Sequence, residues 1–87
     1  MKIKNFRKTV NLEILTPKGI EFTGAVKEII VPSRAGQIAV LPNHTPLVSV
    51  LQAGKMKVVA DKTIEKQIEG GILETNGKKA VILLKKF

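Results

Sequence analysis

The stretch Ile72-Leu73-Glu74-Thr75-Asn76-Gly77-Lys78-Lys79-Ala80-Val81-Ile82-Leu83-Leu84 decides the fold class of this chain. Asn76-Gly77 is a strong short hairpin signal, because both residues tolerate the positive φ that a tight reversal between strands demands. Ile72 to Thr75 and Lys79 to Leu84 flank it, rich in aliphatic residues and free of proline, so they read as paired strands. Just upstream, Gly70 and Gly71 stand together. A glycine pair inside a β pattern marks a bulge or a close approach by another backbone, since only glycine removes the Cβ that would collide.

Working outward from this hairpin, alternation with a period of two recurs along the chain, and no amphipathic helical spacing persists. Val10, Leu12 and Ile14 alternate with Asn11 and Glu13, and the turn formers Thr16 to Gly19 end that strand. Ile20 to Thr23 returns, interrupted by Gly24. Ala25 to Val31 is rich in β-branched residues and should stop at Pro32, which cannot donate to a ladder. Ser33 to Gly36 turns the chain. Gln37 to Leu41 and Leu47 to Leu51 are short strands separated by Pro42, Asn43, His44, Thr45 and Pro46, a loop stiffened by two prolines of fixed φ. Gln52 to Gly54 should form a further turn, Lys55 to Ala60 a strand, and Asp61-Lys62 the reversal into Thr63 to Glu69. The expected fold is all-β, a small β-sandwich or flattened barrel of about eight to ten short strands.

One domain fits in 87 residues, with its core over about 10–84 and short basic ends. The net charge is +8, yet Lys2, Lys4, Arg7, Lys8, Lys85 and Lys86 at the two ends account for six of those charges. Between Thr9 and Leu84, nine basic and seven acidic side chains nearly cancel, so the excess reads as solvated tails. Met1 to Val10 holds no apolar core of a secretory signal, and no apolar run approaches the roughly 20 residues of a membrane span. Cysteine is absent, which excludes disulfides and thiol chemistry and fits a cytosolic compartment.

Catalysis has few residues to work with: one histidine, one aspartate, no cysteine and no tyrosine. His44 lacks any sequence sign of the nucleophile and orienting carboxylate that a general base needs, and one histidine cannot complete a zinc site. Neither a lysine-serine pair nor a helix follows Gly70-Gly71, so it is not a phosphate loop. No catalytic residue, cofactor or metal is expected. A basic β-domain binding RNA or single-stranded DNA is the alternative function, but Phe6, Phe22 and Phe87 are the only aromatics and give no stacking surface. Lys55-Met56-Lys57 loosely matches a biotinyl or lipoyl carrier, except that Val58 to Ala60 continues as a strand where the carrier hairpin turns.

From about Val10 to Leu84 the chain resembles the epsilon subunit of F-type ATP synthases. The resemblance rests on a first strand like Leu12 to Leu15, on Phe22 with Gly24, on Val26 to Val31, and on a turn closed by Gly36. Its most specific stretch is Val40 to Leu47, with a proline, any residue, histidine, any residue, proline, leucine pattern, followed by Gly54 and by Gly70-Gly71-Ile72-Leu73-Glu74. This resemblance implies a non-catalytic central-stalk subunit that binds the gamma subunit and the ring of c subunits and couples proton transport to ATP synthesis. It implies a peripheral protein on the cytoplasmic side of the bacterial inner membrane, reaching the membrane only through the complex, with no nucleic-acid partner. Carried over by position, Pro42, His44, Pro46 and Leu47 are candidate gamma contacts, and Ser33, Arg34 and Gln37 are candidate c-ring contacts. Gly24, Gly36, Gly54, Gly70 and Gly71 are candidate structural glycines. Many family members carry acidic residues where Arg34 and Gln37 stand. Many also continue into a two-helix domain; this sequence ends at Phe87, after the last strand, and in length it resembles short natural forms of the subunit, so a naturally short protein is the favoured expectation and a truncated one the alternative.

Overall fold

The computed structural model describes residues 9–87, so the basic tail residues Lys2, Lys4, Arg7 and Lys8 lie outside the described residues. Seven strands follow in order: β1 (Val10–Thr16), β2 (Gly19–Val26), β3 (Glu28–Ser33), β4 (Gly36–Val40), β5 (Leu47–Val59), β6 (Thr63–Thr75) and β7 (Lys79–Leu84). They form one hydrogen-bonded sheet in the order β2-β1-β7-β6-β5-β3-β4, and all neighbours are antiparallel except β1 with β7. No helix occurs among the described residues.

Strand order and core together show that this sheet folds over on itself. In a flat sheet β1 and β3 would lie four strand spacings apart, about 19 Å. Yet Leu12 and Ile14 of β1 share one buried cluster with Ile29 and Val31 of β3. The expected β-sandwich is present, built from fewer and longer strands.

The difference in strand number has two causes. Gln52 to Gly54 and Gly70-Gly71 do not turn the chain; they lie inside the 13-residue strands β5 and β6, which pair from Leu47↔Thr75 to Val59↔Thr63. What changes there is which side chains face inward. In β5 Leu51 is buried and then Met56 and Val58; in β6 Ile68 is buried and then Leu73 and Thr75. The odd-even alternation flips in both strands at the same level, so this hairpin passes from one layer to the other without breaking its register.

Conversely, the run Ala25 to Val31 is not one strand. It divides at Lys27, whose N–H donates to the Val59 carbonyl at 2.7 Å, because β2 pairs with β1 while β3 pairs with β5. Pro32 does not end β3 either. It sits where the ladder to β5 is interrupted between Ile30 and Ser33, a place where no N–H donor is required. A Cβ on Gly54 would lie only 3.0 Å from the Pro32 ring, so glycine on β5 makes room for proline on β3.

Candidate functional site

The proline loop joins β4 to β5, and its shape is set by a turn and by a second hairpin. His44 N–H donates to the Leu41 carbonyl at 3.1 Å, closing a β-turn with Pro42 at the second position and Asn43 at the third. Asn43 has φ +66°, as a turn of type II requires at that place. Asn43 N–H then donates to the Gly77 carbonyl at 2.9 Å, which ties the loop to the tip of the β6–β7 hairpin.

That tip is itself well satisfied. The hydroxyl of buried Thr75 donates to the Lys79 carbonyl at 3.1 Å and accepts from Gly77 N–H at 3.2 Å. The Asn76 side-chain oxygen accepts from Lys78 and Lys79 N–H at 2.9 and 2.8 Å. Gly77 has φ +96°, and a Cβ there would stand 2.8 Å from the His44 carbonyl oxygen. Glycine is needed at this position for the turn and also for the loop packed over it.

The sequence-predicted gamma contacts Pro42, His44, Pro46 and Leu47 are thus brought together on one braced loop. Pro46 is exposed, Pro42 and His44 are half-buried, and Leu47 packs against the core. His44 Nδ1 lies 2.7 Å from the Thr45 carbonyl, which can only accept, so Nδ1 carries the proton and donates. The ring braces its own loop.

The second predicted site, the Ser33–Gln37 turn, is built from its own residues. Ser33 is buried; its hydroxyl donates to the Gly36 carbonyl at 2.5 Å and accepts from Ala35 N–H at 3.1 Å. Its side chain therefore serves the turn, and Arg34 and Gln37 are the exposed members. Arg34 N–H donates to the Val50 carbonyl at 3.3 Å, which anchors this turn on β5.

Of the predicted structural glycines, Gly71 is the most confined, since a Cβ would collide with the Leu83 carbonyl oxygen. At Gly70 a Cβ would come within 3.3 Å of the Leu51 carbonyl. Gly36 has open space but a φ of +119°, whereas a Cβ on Gly24 would make only an ordinary contact with the Phe22 ring.

Sequence reasoning missed an exposed apolar band. Val50 pairs with Ile72, Ile72 with Leu83, Leu83 with Leu15, and Leu15 with Ile20, so five aliphatic residues stand side by side across five strands. Val50, Ile72, Leu83 and Ile20 are 52, 45, 45 and 62% exposed, and Leu15 is half-buried. The signal was in the sequence: Val50-Leu51, Ile72-Leu73, Leu83-Leu84 and Ile14-Leu15 are adjacent apolar pairs, and on a strand buried on one face one of each pair must point outward. Leu41, 51% exposed beside the proline loop, was likewise passed over.

Residues 9–87 match the family model described as ATP synthase, Delta/Epsilon chain, beta-sandwich domain. The chain belongs to this family. It is 37% identical over 78 residues to the ATP synthase epsilon chain of Chlorobium limicola, covering 87% of this chain and 89% of that relative. It is 36% identical over 78 residues to the epsilon chain of Chlorobaculum tepidum, again over 89% of the relative. Against the chloroplastic epsilon chain of Piper cenocladum the identity is 36% over 77 residues, and the match spans only 58% of that longer protein. Membership agrees with the expected non-catalytic ATP synthase subunit. The fold is shared with a chain of the Euglena gracilis mitochondrial ATP synthase, in a structure of OSCP, F1 and c-ring, with a TM-score of 0.87 at 21% identity over 95% of this chain and 54% of that one.

Proposed function

We propose that this protein is a non-catalytic central-stalk subunit of a proton-translocating ATP synthase, seated between gamma and the c-ring. It acts at the cytoplasmic face of the bacterial cell membrane and touches the membrane only through the complex. The observation that carries this reading is the proline loop, held by Asn43 on the hairpin tip and presenting Pro46 and Leu41 outward. A loop that is rigid before it binds loses little entropy on docking, and stiffness is what a part in a torque path requires. Pro42, His44, Pro46 and Leu47 supply the gamma contact, and Arg34 and Gln37 face the ring from a turn whose shape Ser33 holds.

The test is reconstitution of a complex stripped of its own epsilon subunit. Added protein should remain with gamma at moderate salt and restore proton-driven ATP synthesis. Failure to restore coupling would remove the stalk assignment. Binding that collapses by about a thousandfold or more between 50 and 200 mM salt would instead indicate phosphate-backbone contact and favour the nucleic-acid alternative.

A further inference from the structure

The hairpin tip that seats the proline loop also holds an electrophile and a nucleophile one residue apart. Asn5, Asn11 and Asn43 precede Phe6, Leu12 and His44, whose side chains hinder the next backbone nitrogen, whereas Asn76 precedes a glycine, which has none. Asn76 is exposed, and its side-chain carbonyl accepts from Lys78 N–H at 2.9 Å and from Lys79 N–H at 2.8 Å. The side chain is thereby folded back over the Gly77 peptide in an Asx-turn, and two donors polarise its carbonyl carbon toward attack. The Gly77 nitrogen, by contrast, is restrained. Its N–H donates to the Thr75 hydroxyl at 3.2 Å, and that buried hydroxyl is fixed in turn by donating to the Lys79 carbonyl at 3.1 Å. Asn76 N–H, bonded to the Lys79 carbonyl at 3.0 Å, holds the backbone on the other side of the asparagine.

We propose that Asn76 is a site of spontaneous covalent modification, at which the Gly77 nitrogen closes on the side-chain carbonyl and asparagine becomes aspartate or isoaspartate, and that Thr75 sets the rate by holding the Gly77 N–H. The reaction needs only water. When the tip opens locally, the Gly77 N–H leaves the Thr75 hydroxyl and gives its proton to hydroxide. The nitrogen's electron pair bonds to Asn76 Cγ, the Cγ–Nδ2 bond breaks, and the side-chain nitrogen departs as ammonia after taking a proton from water. Water then opens the five-membered imide. Cleavage between Cγ and the Gly77 nitrogen leaves aspartate, which keeps an oxygen where Lys78 and Lys79 donate. Cleavage at the main-chain carbonyl leaves isoaspartate, whose chain runs through Cγ and is longer by one methylene. That product displaces Gly77, whose carbonyl accepts from Asn43 N–H at 2.9 Å, and so unseats the proline loop. The inference concerns this chain alone and does not depend on its partners.

The full chain is incubated in mildly alkaline buffer, folded and in urea, and peptide mass spectrometry with isoaspartate methyltransferase labelling locates the products. The folded protein should gain acid at Asn76 and not at Asn11 or Asn43, more slowly than the unfolded chain, and Asn76→Gln should abolish it. Thr75→Val, which removes the acceptor, should speed the folded reaction several-fold and leave the rate in urea unchanged, whereas Thr75→Ser should restore the slow rate. After separation by ion exchange, the isoaspartate form should melt lower and exchange its Asn43 amide faster than the unaltered protein, while Asn76→Asp should match it. A folded chain that stays unmodified while the unfolded one converts would overturn the site. An unchanged rate in folded Thr75→Val would remove Thr75 from control; should that variant not fold, an unprotected Gly77 amide in hydrogen exchange of the unaltered protein would do the same. An isoaspartate form with unaltered melting and Asn43 exchange would break the link to the loop.

Discussion

The proline loop and the Ser33–Gln37 turn differ in what holds them. The turn is mostly local: the Ser33 hydroxyl bonds to Ala35 and Gly36, and the turn reaches β5 next to it through the Ser33↔Leu51 pair and the Arg34 N–H. The loop makes its own β-turn but is oriented by a hairpin more than thirty residues away, through Asn43 N–H to the Gly77 carbonyl and through the close seat at Gly77. A surface whose shape is stored in distant residues moves only if the fold moves. A turn that stores its own shape can change its exposed residues, here Arg34 and Gln37, freely.

The largest test of this contrast is Gly77→Val. It places a β-branched residue at φ +96° and drives its Cβ into the His44 carbonyl, so stability should fall by about 3 kcal/mol. For a domain of this size each kcal/mol corresponds to roughly 4–8 °C in melting temperature, so calorimetric scanning reads the effect directly. An unmoved transition would mean that the loop does not depend on the tip. Next, Ser33→Ala removes a buried hydroxyl with two partners and should cost about 1–2 kcal/mol, without changing gamma affinity measured on the folded variant. Loss of affinity larger than the loss of stability would show that the turn is also part of the gamma surface.

Smaller still is Pro46→Gly. Its effect should be about 1 kcal/mol of gamma affinity, from loosened preorganisation, with a nearly unchanged fold. Equal affinity of the two proteins in titration calorimetry would count against a loop that must be rigid to bind. The smallest change is expected for Arg34→Gln, within about 0.5 kcal/mol in stability because the side chain is exposed. Its signature should be an altered salt dependence of c-ring association, and a salt profile identical to that of the unaltered protein would remove Arg34 from that contact.

Much of the candidate site was legible because it is punctuated by residues with strong local preferences. Pro42 and Pro46 marked a stiff loop, Asn76-Gly77 marked a reversal, and Gly70-Gly71 marked a crowded backbone; all three stand in the structure. Ser33 entered as a candidate contact by position in the resemblance alone; that its hydroxyl is spent on Ala35 and Gly36 of its own turn is visible only in the structure. The band escaped because its members sit on five different strands, and their neighbourhood exists only once those strands are paired.

By itself the sequence determined where extended segments lie, where the chain turns sharply, and which side chains within a strand share a face, because each follows from interactions over a few residues. Only the tertiary structure decided that the run through Lys27 divides between layers, that β5 and β6 continue past Gly54 and Gly70-Gly71, and that Gly77 seats the proline loop. Those outcomes depend on which strands become neighbours. Partner choice is settled by burying one common core among residues far apart in the chain, and a period of two, which says only in or out, carries no information about who stands alongside.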